Sequence, residues 1–297
     1  MLYIRNITRS KLPQISIIFT NNFNDLIKIN VALLIYYTYF LLIIILRIFS
    51  KNMMWNFLNK LPLSLSFILR KMSIKLIAIT FIDWFKLNFI FRTYTLYEYV
   101  IFLDWERDAM QYIRELRNGD IVIDVGAHIG SYTIRCAKLV GESGKVIAIE
   151  PIPENLILLK NNLEFNKLNN VLIEDKAIHN KLSKIKLFYY NAHPSGASVF
   201  KKSESNDLNT ITVEATTLDA IIEKYNLKRI DLLKVDVEGA EAEVLSDKAL
   251  SITRKIIIEV WPYNLSKIFQ MLKSHGFKII NLGLHHGGLN YYLYCHR

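Results

Sequence analysis

A glycine loop between an apolar strand and an apolar helix constrains this chain more than any other feature. Residues 121–125 are predicted to form a buried strand that runs into the loop Asp124-Val-Gly-Ala-His-Ile-Gly130, and residues 131–140 to form a helix. The next apolar run, residues 146–150, ends in Glu150. Such a strand–loop–helix–strand unit binds an adenosine through the loop backbone and an acid on the ribose hydroxyls. We therefore expect an α/β fold with a mainly parallel sheet.

The spacing of the glycines excludes the commonest adenosine cofactors. Counted from Gly126, the second and third glycine positions of the dinucleotide fingerprint G-x-G-x-x-G hold His128 and Ser131. The phosphate-binding pattern G-x-x-x-x-G-K-[ST] does not occur either. A phosphate-free ligand with a cationic centre fits better, because Asp124 at the end of the strand can face an ammonium or sulfonium group. The alternative is that Gly126 and Gly130 only turn a tight corner, with Asp124 capping the helix.

A second group of acids follows two later apolar runs. Asp236 and Glu238 come directly after residues 230–235, and Glu259 lies near the end of residues 255–260. Ligands in open α/β sheets bind beyond the carboxyl ends of the strands, so these acids are expected at the same edge as the glycine loop. Carboxylates crowded at one edge raise one another's pKa, which suits a general base. For Glu238 the alternative is an acid placed in the first turn of a helix, where the helix dipole favours it.

Together these segments resemble the FkbM family of S-adenosylmethionine-dependent methyltransferases. The resemblance covers residues 96–297 and depends most on Leu233-Lys-Val-Asp-Val-Glu-Gly-Ala-Glu241. It implies a class I methyltransferase fold, Rossmann-like with a C-terminal antiparallel hairpin, and methyl transfer from S-adenosyl-L-methionine to a sugar or polyketide hydroxyl. One departure is Trp261, where a smaller or His-like residue is expected. The other matching segments are residues 124–130, 150–155, 217–219, 257–259 and 291–294.

The resemblance implies a role for each residue around the cofactor. The loop residues Gly126, Ala127 and Gly130 lie under its methionine part. Asp124 faces its ammonium group, and Glu150 holds its ribose hydroxyls. These five residues are thus predicted to bind the cofactor.

Four more residues complete the predicted site. Asp175 is placed to meet the adenine amine, and Tyr132 either closes over the loop or packs beneath it. Asp236 lies where the transferred methyl group belongs, so it is predicted both to contact the cofactor and to remove the acceptor proton. Glu259 is the second candidate for this base. A metal held by Asp236 and Glu259 stays open as an alternative but has no His or Cys to support it, so no metal site is predicted.

The remaining patterns give a coarse map of this domain. Residues 184–190 and 210–215 predict strands of an insertion, with the loop Pro194–Ser198 beside the acceptor pocket. Residues 277–282 and 289–294 predict a hairpin through His285 and His286. Further helices are predicted at residues 97–116, 153–165, 218–225 and 265–275, and a further strand at 171–175.

Residues 1–95 differ sharply from the rest of the chain. They carry twelve Lys or Arg against two Asp, and this excess equals the net charge of +10 of the whole chain. Residues 29–46 contain no charge and reach the lower limit of length for a membrane-spanning helix. Residues 61–90 are apolar but interrupted by charges, which predicts helices on a membrane surface or packed on the catalytic domain. We therefore predict a helical, membrane-associated region, with a single buried helix at residues 29–46 as the alternative.

The charges also predict topology and partners. Only Lys28 precedes the candidate span closely, whereas Arg47, Lys51 and Lys60 follow it, which places residues 96–297 in the cytoplasm. The bases lie between apolar runs and form no stripe on the folded domain, so nucleic acid is not an expected partner. Two cysteines give no disulfide framework and suit a reducing compartment.

The acceptor is inferred from location and family habit as a hydroxyl on a sugar, glycan or lipid-linked molecule. Two other functions stay open. One is a membrane-tethered domain that binds the cofactor without catalysis. The other is an NAD(P)-dependent short-chain dehydrogenase, because Tyr263-Asn-Leu-Ser-Lys267 has the spacing of its catalytic pair, although the glycine loop argues against it.

Overall fold

The computed structural model describes residues 14–16, 76–80, 89–92, 111–190, 193–200, 208–284 and 290–297. The chain divides into two compact units, residues 1–101 and 102–297. The described residues of the first unit form a three-stranded antiparallel sheet in the order β1-β2-β3, with β1 Gln14–Ser16, β2 Leu76–Thr80 and β3 Phe89–Arg92.

The prediction of helices over residues 61–90 is wrong where these strands lie. Both β2 and β3 are rich in β-branched and aromatic residues, which favour extended backbone. The candidate span at residues 29–46 lies outside the described residues. Among the residues that are described, no helix has the length and apolar character needed to cross a membrane.

The second unit alternates strands with helices, as predicted. Its strands are β4 (Ile121–Val125), β5 (Lys145–Ile149), β6 (Val171–Glu174), β7 (Ala177–Ile178), β8 (Ser183–Tyr190), β9 (His193–Ser198), β10 (Leu208–Thr216), β11 (Leu232–Val235), β12 (Lys255–Val260), β13 (Lys278–Leu284) and β14 (Tyr291–His296). Its helices are α1 (Ser131–Val140), α2 (Pro153–Phe165), α3 (Leu218–Lys224), α4 (Glu241–Val244), α5 (Asp247–Ile252) and α6 (Leu265–Ser274).

The main sheet has seven strands in the order β13-β14-β12-β11-β4-β5-β6. The five strands from β12 to β6 are parallel, and β14 pairs antiparallel with both β12 and β13. The predicted fold, a mainly parallel sheet with an antiparallel hairpin, is confirmed. Because the chain builds β4, β5 and β6 outward and then returns to place β11 beside β4, a topological switch point lies between β4 and β11.

A second sheet is inserted between β6 and α3. Its four strands lie in the order β7-β10-β8-β9. The prediction of a loop at Pro194–Ser198 is wrong, since these residues belong to β9, which pairs with β8 as a hairpin. The short run Pro-Ser-Gly-Ala-Ser has no strand pattern of its own and does not indicate that it pairs with β8.

The segment before β4 also departs from the prediction. The described part of the predicted helix 97–116 is helical only at residues 111–113. Gly119 donates its backbone N–H to Val140 O at 2.9 Å, at the end of α1. The turn at residues 118–119 therefore connects to α1 and leads into β4.

The central strands are almost entirely apolar and buried, as expected for a parallel sheet covered on both faces. Ile123, Ile147, Leu233 and Ile258 have no exposed surface. Ion pairs to the buried Asp231 lie at the opposite end of the sheet from the switch-point crevice, and their arginines, Arg229 and Arg254, are more than half exposed. Asp231 accepts hydrogen bonds from the Ile121 backbone N–H at 2.9 Å, from Arg229 at 3.0 Å and from Arg254 at 3.2 Å. Burial alone would raise the pKa of Asp231, but these hydrogen bonds outweigh burial and lower it.

We predict that Asp231→Asn lowers the free energy of unfolding at neutral pH by about 1–3 kcal/mol, because a neutral amide with one acceptor oxygen replaces a charged acceptor of three hydrogen bonds. The pKa of Asp231 is lower in the folded protein than in the unfolded chain, so this stabilisation is present above the unfolded-state pKa and is lost as the pH falls. Urea unfolding at pH 7 and at roughly pH 3.5 measures both effects. The exposed Glu142→Gln variant is the control. An equal loss at the two pH values would contradict the ionic origin of the effect.

Candidate functional site

The crevice beyond the carboxyl ends of β4 and β11 brings the predicted site residues together. Gly126, which follows β4, has a left-handed φ of +77°, and a Cβ atom at this position would lie 2.0 Å from the carbonyl oxygen of Asp236. The Asp236 backbone N–H donates to Val125 O at 3.1 Å. The backbone N–H groups of Gly126 and Ala127 both donate to Ile149 O at 3.0 Å. The loop is therefore held between β5 and the segment after β11, with room only for glycine.

Gly130 serves close packing at the start of α1. Its φ is +102°, and a Cβ atom there would lie 2.8 Å from Leu159 Cδ1 and 2.9 Å from Ile134 Cδ1. From α2, the buried Asn162 side chain donates to Ile129 O at 2.9 Å. Helices α1 and α2 thus fix the loop from behind.

Glu150 is buried and held by three donors. Its Oε2 accepts from the His128 backbone N–H at 2.8 Å. Its Oε1 accepts from the Ile152 N–H at 3.0 Å and from the Asn155 side chain at 2.9 Å. A carboxylate has about four acceptor positions, so capacity remains for a ligand hydroxyl. These three donors fix the orientation of the Glu150 carboxylate, and its role on the ribose stays a prediction.

Lys234 connects the two strands that border the switch point. Its Nζ lies 3.3 Å from Asp124 Oδ1 and 3.7 Å from Asp236 Oδ2, and it donates to Gly126 O at 2.8 Å. Lys234 is thus paired with an acid on each side of the switch point. The Asp236 side chain is 23% exposed, whereas that of Lys234 is 5% exposed. Asp236 therefore faces the crevice while its counter-charge lies beneath it.

Asp124 occupies a position that differs from its predicted role, whereas Tyr132 takes one of its two predicted positions, beneath the loop. Asp124 is fully buried and accepts a hydrogen bond from Thr133 Oγ1 at 2.6 Å, so in this arrangement its carboxylate offers no surface to an ammonium group. Side chains alternate across a strand, and that of Asp124 points to the face covered by α1. The buried Tyr132 packs beneath the loop, with the Lys234 ammonium 5.2 Å from its ring centroid. Both residues support the loop from below.

Glu259 lies deeper than Asp236. Its Oε1 accepts a hydrogen bond from the Asn290 side chain at 2.6 Å. Burial raises its pKa well above the ordinary value, and the carboxylates of Asp236 and Glu238 raise the pKa further, against opposing hydrogen bonds from Asn290 and Tyr292. The predicted crowding of carboxylates therefore has its main effect on Glu259.

The end of β6 carries two acids with different surroundings. Strand β6 ends at Glu174, one residue before the predicted end. Glu174 is buried and accepts hydrogen bonds from Lys224 at 2.5 Å and from the Tyr225 hydroxyl. Asp175 is exposed beyond the strand, so contact with an adenine amine stays a prediction. Within the described residues no group of three or more His, Cys, Asp or Glu is arranged to hold a metal.

Several contributing residues were not predicted. Asn155 lies in the matching segment 150–155 without a predicted role of its own, and its side-chain amide donates to Glu150 and orients it. Thr133, Asn162 and Asn290 have no local sequence signal, because each contacts a partner that only the fold brings near. The predicted hairpin tip with His285 and His286 lies outside the described residues.

Comparison with known proteins adds an independent observation. A family model described as "Methyltransferase FkbM domain" matches residues 124–279, which include the glycine loop, Asp236 and Glu259. Methyltransferase sdnD of Sordaria araneosa is 29% identical over 204 residues, covering 56% of this chain and 77% of that protein. The 31-O-demethyl-FK506 methyltransferase FkbM of Streptomyces tacrolimicus is 26% identical over 201 residues, covering 56% and 75%.

Among solved structures, methyltransferase FkbM from Methylobacillus flagellatus KT is similar to this chain. The two are 19% identical with a TM-score of 0.44, and the match covers 61% of this chain and 44% of the other.

The close approach of Gly126 to Asp236 generates a prediction about ligand binding. Gly126→Ala is expected to weaken binding of S-adenosylhomocysteine at least about tenfold, because the added methyl group displaces the loop. Isothermal titration calorimetry on the full-length protein measures this. Gly283→Ala is the matched control, since a Cβ atom there meets nothing within 4 Å. Equal affinities in the two variants would show that the loop does not contact the ligand.

Proposed function

This chain belongs to the FkbM family of S-adenosylmethionine-dependent methyltransferases, and from that premise we propose that it methylates a hydroxyl oxygen of its acceptor with Asp236 as the base. One observation carries the proposal: a partly exposed carboxylate lies against the glycine loop at the switch point of the sheet. Because the chain belongs to this methyltransferase family, we do not pursue the alternative of a short-chain dehydrogenase.

The residues of the crevice fit S-adenosyl-L-methionine. In this proposal the backbone of Gly126 and Ala127 lies against its methionine part, Glu150 uses its remaining acceptor position for a ribose hydroxyl, and the exposed Asp175 meets the adenine amine. Asp124 has an indirect part in this proposal, because it holds Lys234 and Thr133 beneath the loop. When bound, the cofactor supplies a sulfonium methyl group for in-line displacement.

Exposure favours Asp236 over Glu259 as the base. Methyl transfer forms a C–O bond, breaks an S–C bond and releases the hydroxyl proton, which a positioned carboxylate accepts. The carboxylate of Asp236 is partly exposed to the crevice, where an acceptor would bind, and Lys234 Nζ lies 3.7 Å from its Oδ2. Glu259 has the raised pKa of a stronger base, but it is buried and bound to Asn290. We therefore assign proton removal to Asp236 and leave Glu259 as the second candidate.

The acceptor is proposed to be a hydroxyl on a sugar, glycan or lipid-linked molecule. The name of the Streptomyces tacrolimicus relative specifies an O-demethyl substrate, which supports oxygen as the methylated atom. Residues 1–95 carry the whole net positive charge and the uncharged stretch 29–46, which supports association with an anionic membrane and a catalytic domain on its cytoplasmic side. Recovery of the full-length protein entirely in the supernatant after lysis and ultracentrifugation would argue against the membrane part of the proposal.

We predict that Asp236→Asn lowers methyl transfer about 10²–10⁴-fold, since the proton acceptor is lost. Its dissociation constant for S-adenosylhomocysteine should stay within about threefold of the parent value, because the side chain keeps its shape. Transfer from tritiated S-adenosylmethionine to methyl glycosides and polyprenyl-linked sugars measures the rate, and calorimetry measures affinity. Asp247→Asn, at an almost fully exposed aspartate, is the control.

The outcomes separate the proposed enzyme from a binding domain without catalysis. A parent protein that binds S-adenosylmethionine but methylates no member of the panel would support the binding domain. Full activity in Asp236→Asn would contradict the assignment of Asp236 as the base and would favour Glu259. The Glu259→Gln variant would then be expected to lose activity.

A further inference from the structure

The turn that follows Asp236 has an unusual backbone. Glu238 has a φ of +55° and Gly239 a φ of +114°, so two successive residues lie in the left-handed region. A non-glycine residue such as Glu238 keeps this conformation only where the surrounding structure holds it there. We call residues 237–240 the β11 turn. Because it begins directly after the proposed base, the groups that hold it also bear on the position of Asp236.

One of these groups belongs to the inserted sheet. Ser198 is buried at the end of β9, where it pairs with Phe188 of β8. Its hydroxyl accepts a hydrogen bond from the Phe200 backbone N–H at 3.1 Å and donates to Glu238 O at 2.7 Å. The second sheet therefore contacts the β11 turn through a hydroxyl group that is itself oriented.

A closed ring of hydrogen bonds holds the next residue of the turn. The Asn264 side-chain amide donates to Gly239 O at 2.8 Å and to Glu241 Oε2 at 2.7 Å. The Gly239 backbone N–H donates to Glu241 Oε1 at 2.7 Å. Glu241 has no exposed surface, and burial raises its pKa, which these hydrogen bonds oppose. A buried carboxylate is costly without donors, so the ring favours a single conformation of Gly239.

The chain on the other side of Asp236 is fixed by the main sheet. The Asp236 backbone N–H donates to Val125 O at 3.1 Å, and its carbonyl oxygen occupies the space that a Cβ atom on Gly126 would need. Lys234 Nζ lies 3.7 Å from Asp236 Oδ2, beyond the usual hydrogen-bond distance. The place of this partly exposed carboxylate is therefore set largely by its backbone, between the sheet before it and the β11 turn after it.

We propose that Ser198 and Asn264 are positioning residues, which hold the β11 turn so that the Asp236 carboxylate stays at the edge of the crevice beside the glycine loop. This inference rests on the proposed function, since it concerns the base assigned there, and it gives the inserted sheet a part in the reaction. A displacement of about 1 Å at a reacting group slows a reaction by as much as about 10²-fold. Loss of the hydrogen bonds to the turn should therefore slow catalysis without removing a reacting group.

The first test measures whether these residues hold the turn. Hydrogen–deuterium exchange of the amides of residues 237–240 is followed by mass spectrometry on the full-length protein. We expect exchange at least about fivefold faster in Ser198→Ala and in Asn264→Ala, because each loses a hydrogen bond to a carbonyl of the turn. Ser198→Thr keeps the hydroxyl and should keep the parent rate. Parent-like exchange in β4 and β5 shows that the variants are folded.

Asn170→Ala is the matched control. Its side chain also donates to two backbone carbonyls, Ala137 O at 2.8 Å and Gly141 O at 2.7 Å. Asn170 precedes β6, at the end of the sheet opposite to the crevice. The control therefore loses a similar number of hydrogen bonds, and exchange in the β11 turn should stay at the parent rate.

The second test measures whether the turn positions Asp236. In full-length protein labelled with ¹³C-aspartate, the Asp236 carboxyl resonance is identified by its absence in Asp236→Asn. We expect it to shift or broaden in Ser198→Ala and Asn264→Ala and to stay unchanged in the Asn170→Ala control, a readout that needs no acceptor. On an acceptor that the parent methylates, kcat of the two variants should fall about 10–100-fold with KM within about threefold, and Ser198→Thr should retain the parent kcat.

The inference and the proposed function fail separately. Unchanged exchange in both alanine variants would overturn the inference. Faster exchange with an unmoved Asp236 resonance would also overturn it, because Ser198 and Asn264 would then only stabilise the turn. An effect of equal size in Asn170→Ala would do the same. Full activity in Asp236→Asn, with a shifted resonance in the alanine variants, would contradict the proposed base and leave the positioning of its carboxylate standing.

Discussion

The buried ammonium of Lys234 holds together the two strands on which the site depends. It contacts Asp124 at the end of β4, Asp236 after β11 and the carbonyl of Gly126. A buried cation is tolerated only when opposite charges and acceptors surround it, so these partners specify one another. The missing Cβ of Gly126 then lets the two chain segments meet. Electrostatics and close packing therefore set the same spacing between the glycine loop and Asp236.

Much of the second unit could be predicted from the sequence, because its elements have strong local signals. Helices α1 and α2 and strand β12 have the predicted bounds, since a glycine, a proline or a continuous apolar run marks their limits. The grouping of Gly126 and Asp236 at one edge also followed, because the carboxyl ends of parallel strands share an edge. These predictions needed only periodicity and one topological rule.

The rest depended on information that local patterns do not contain. The position of β4 beneath α1 decides toward which face Asp124 points, and there it binds Thr133. The sequence does not contain this information, so it predicted that Asp124 faces a ligand. The contact of Asn290 with Glu259 joins residues far apart in the chain, through the pairing of β14 with β12. In the first unit, parts of an apolar stretch that was predicted to be helical form β2 and β3. Short apolar runs rich in β-branched residues fit either a helix or a strand when the strand they pair with is not known.

The place of β14 in the sheet has a consequence for biosynthesis. Residues 291–296 lie between β12 and β13, although both of those strands are made before them. While the nascent chain lacks this segment, β12 presents an unpaired edge of the kind that promotes aggregation. Asn290, which holds Glu259, arrives at the same moment. A chain that lacks residues 290–296 therefore has an incomplete sheet, and its Glu259 has no Asn290 to bind. The pairing of β14 completes the sheet and the surroundings of Glu259 in one step.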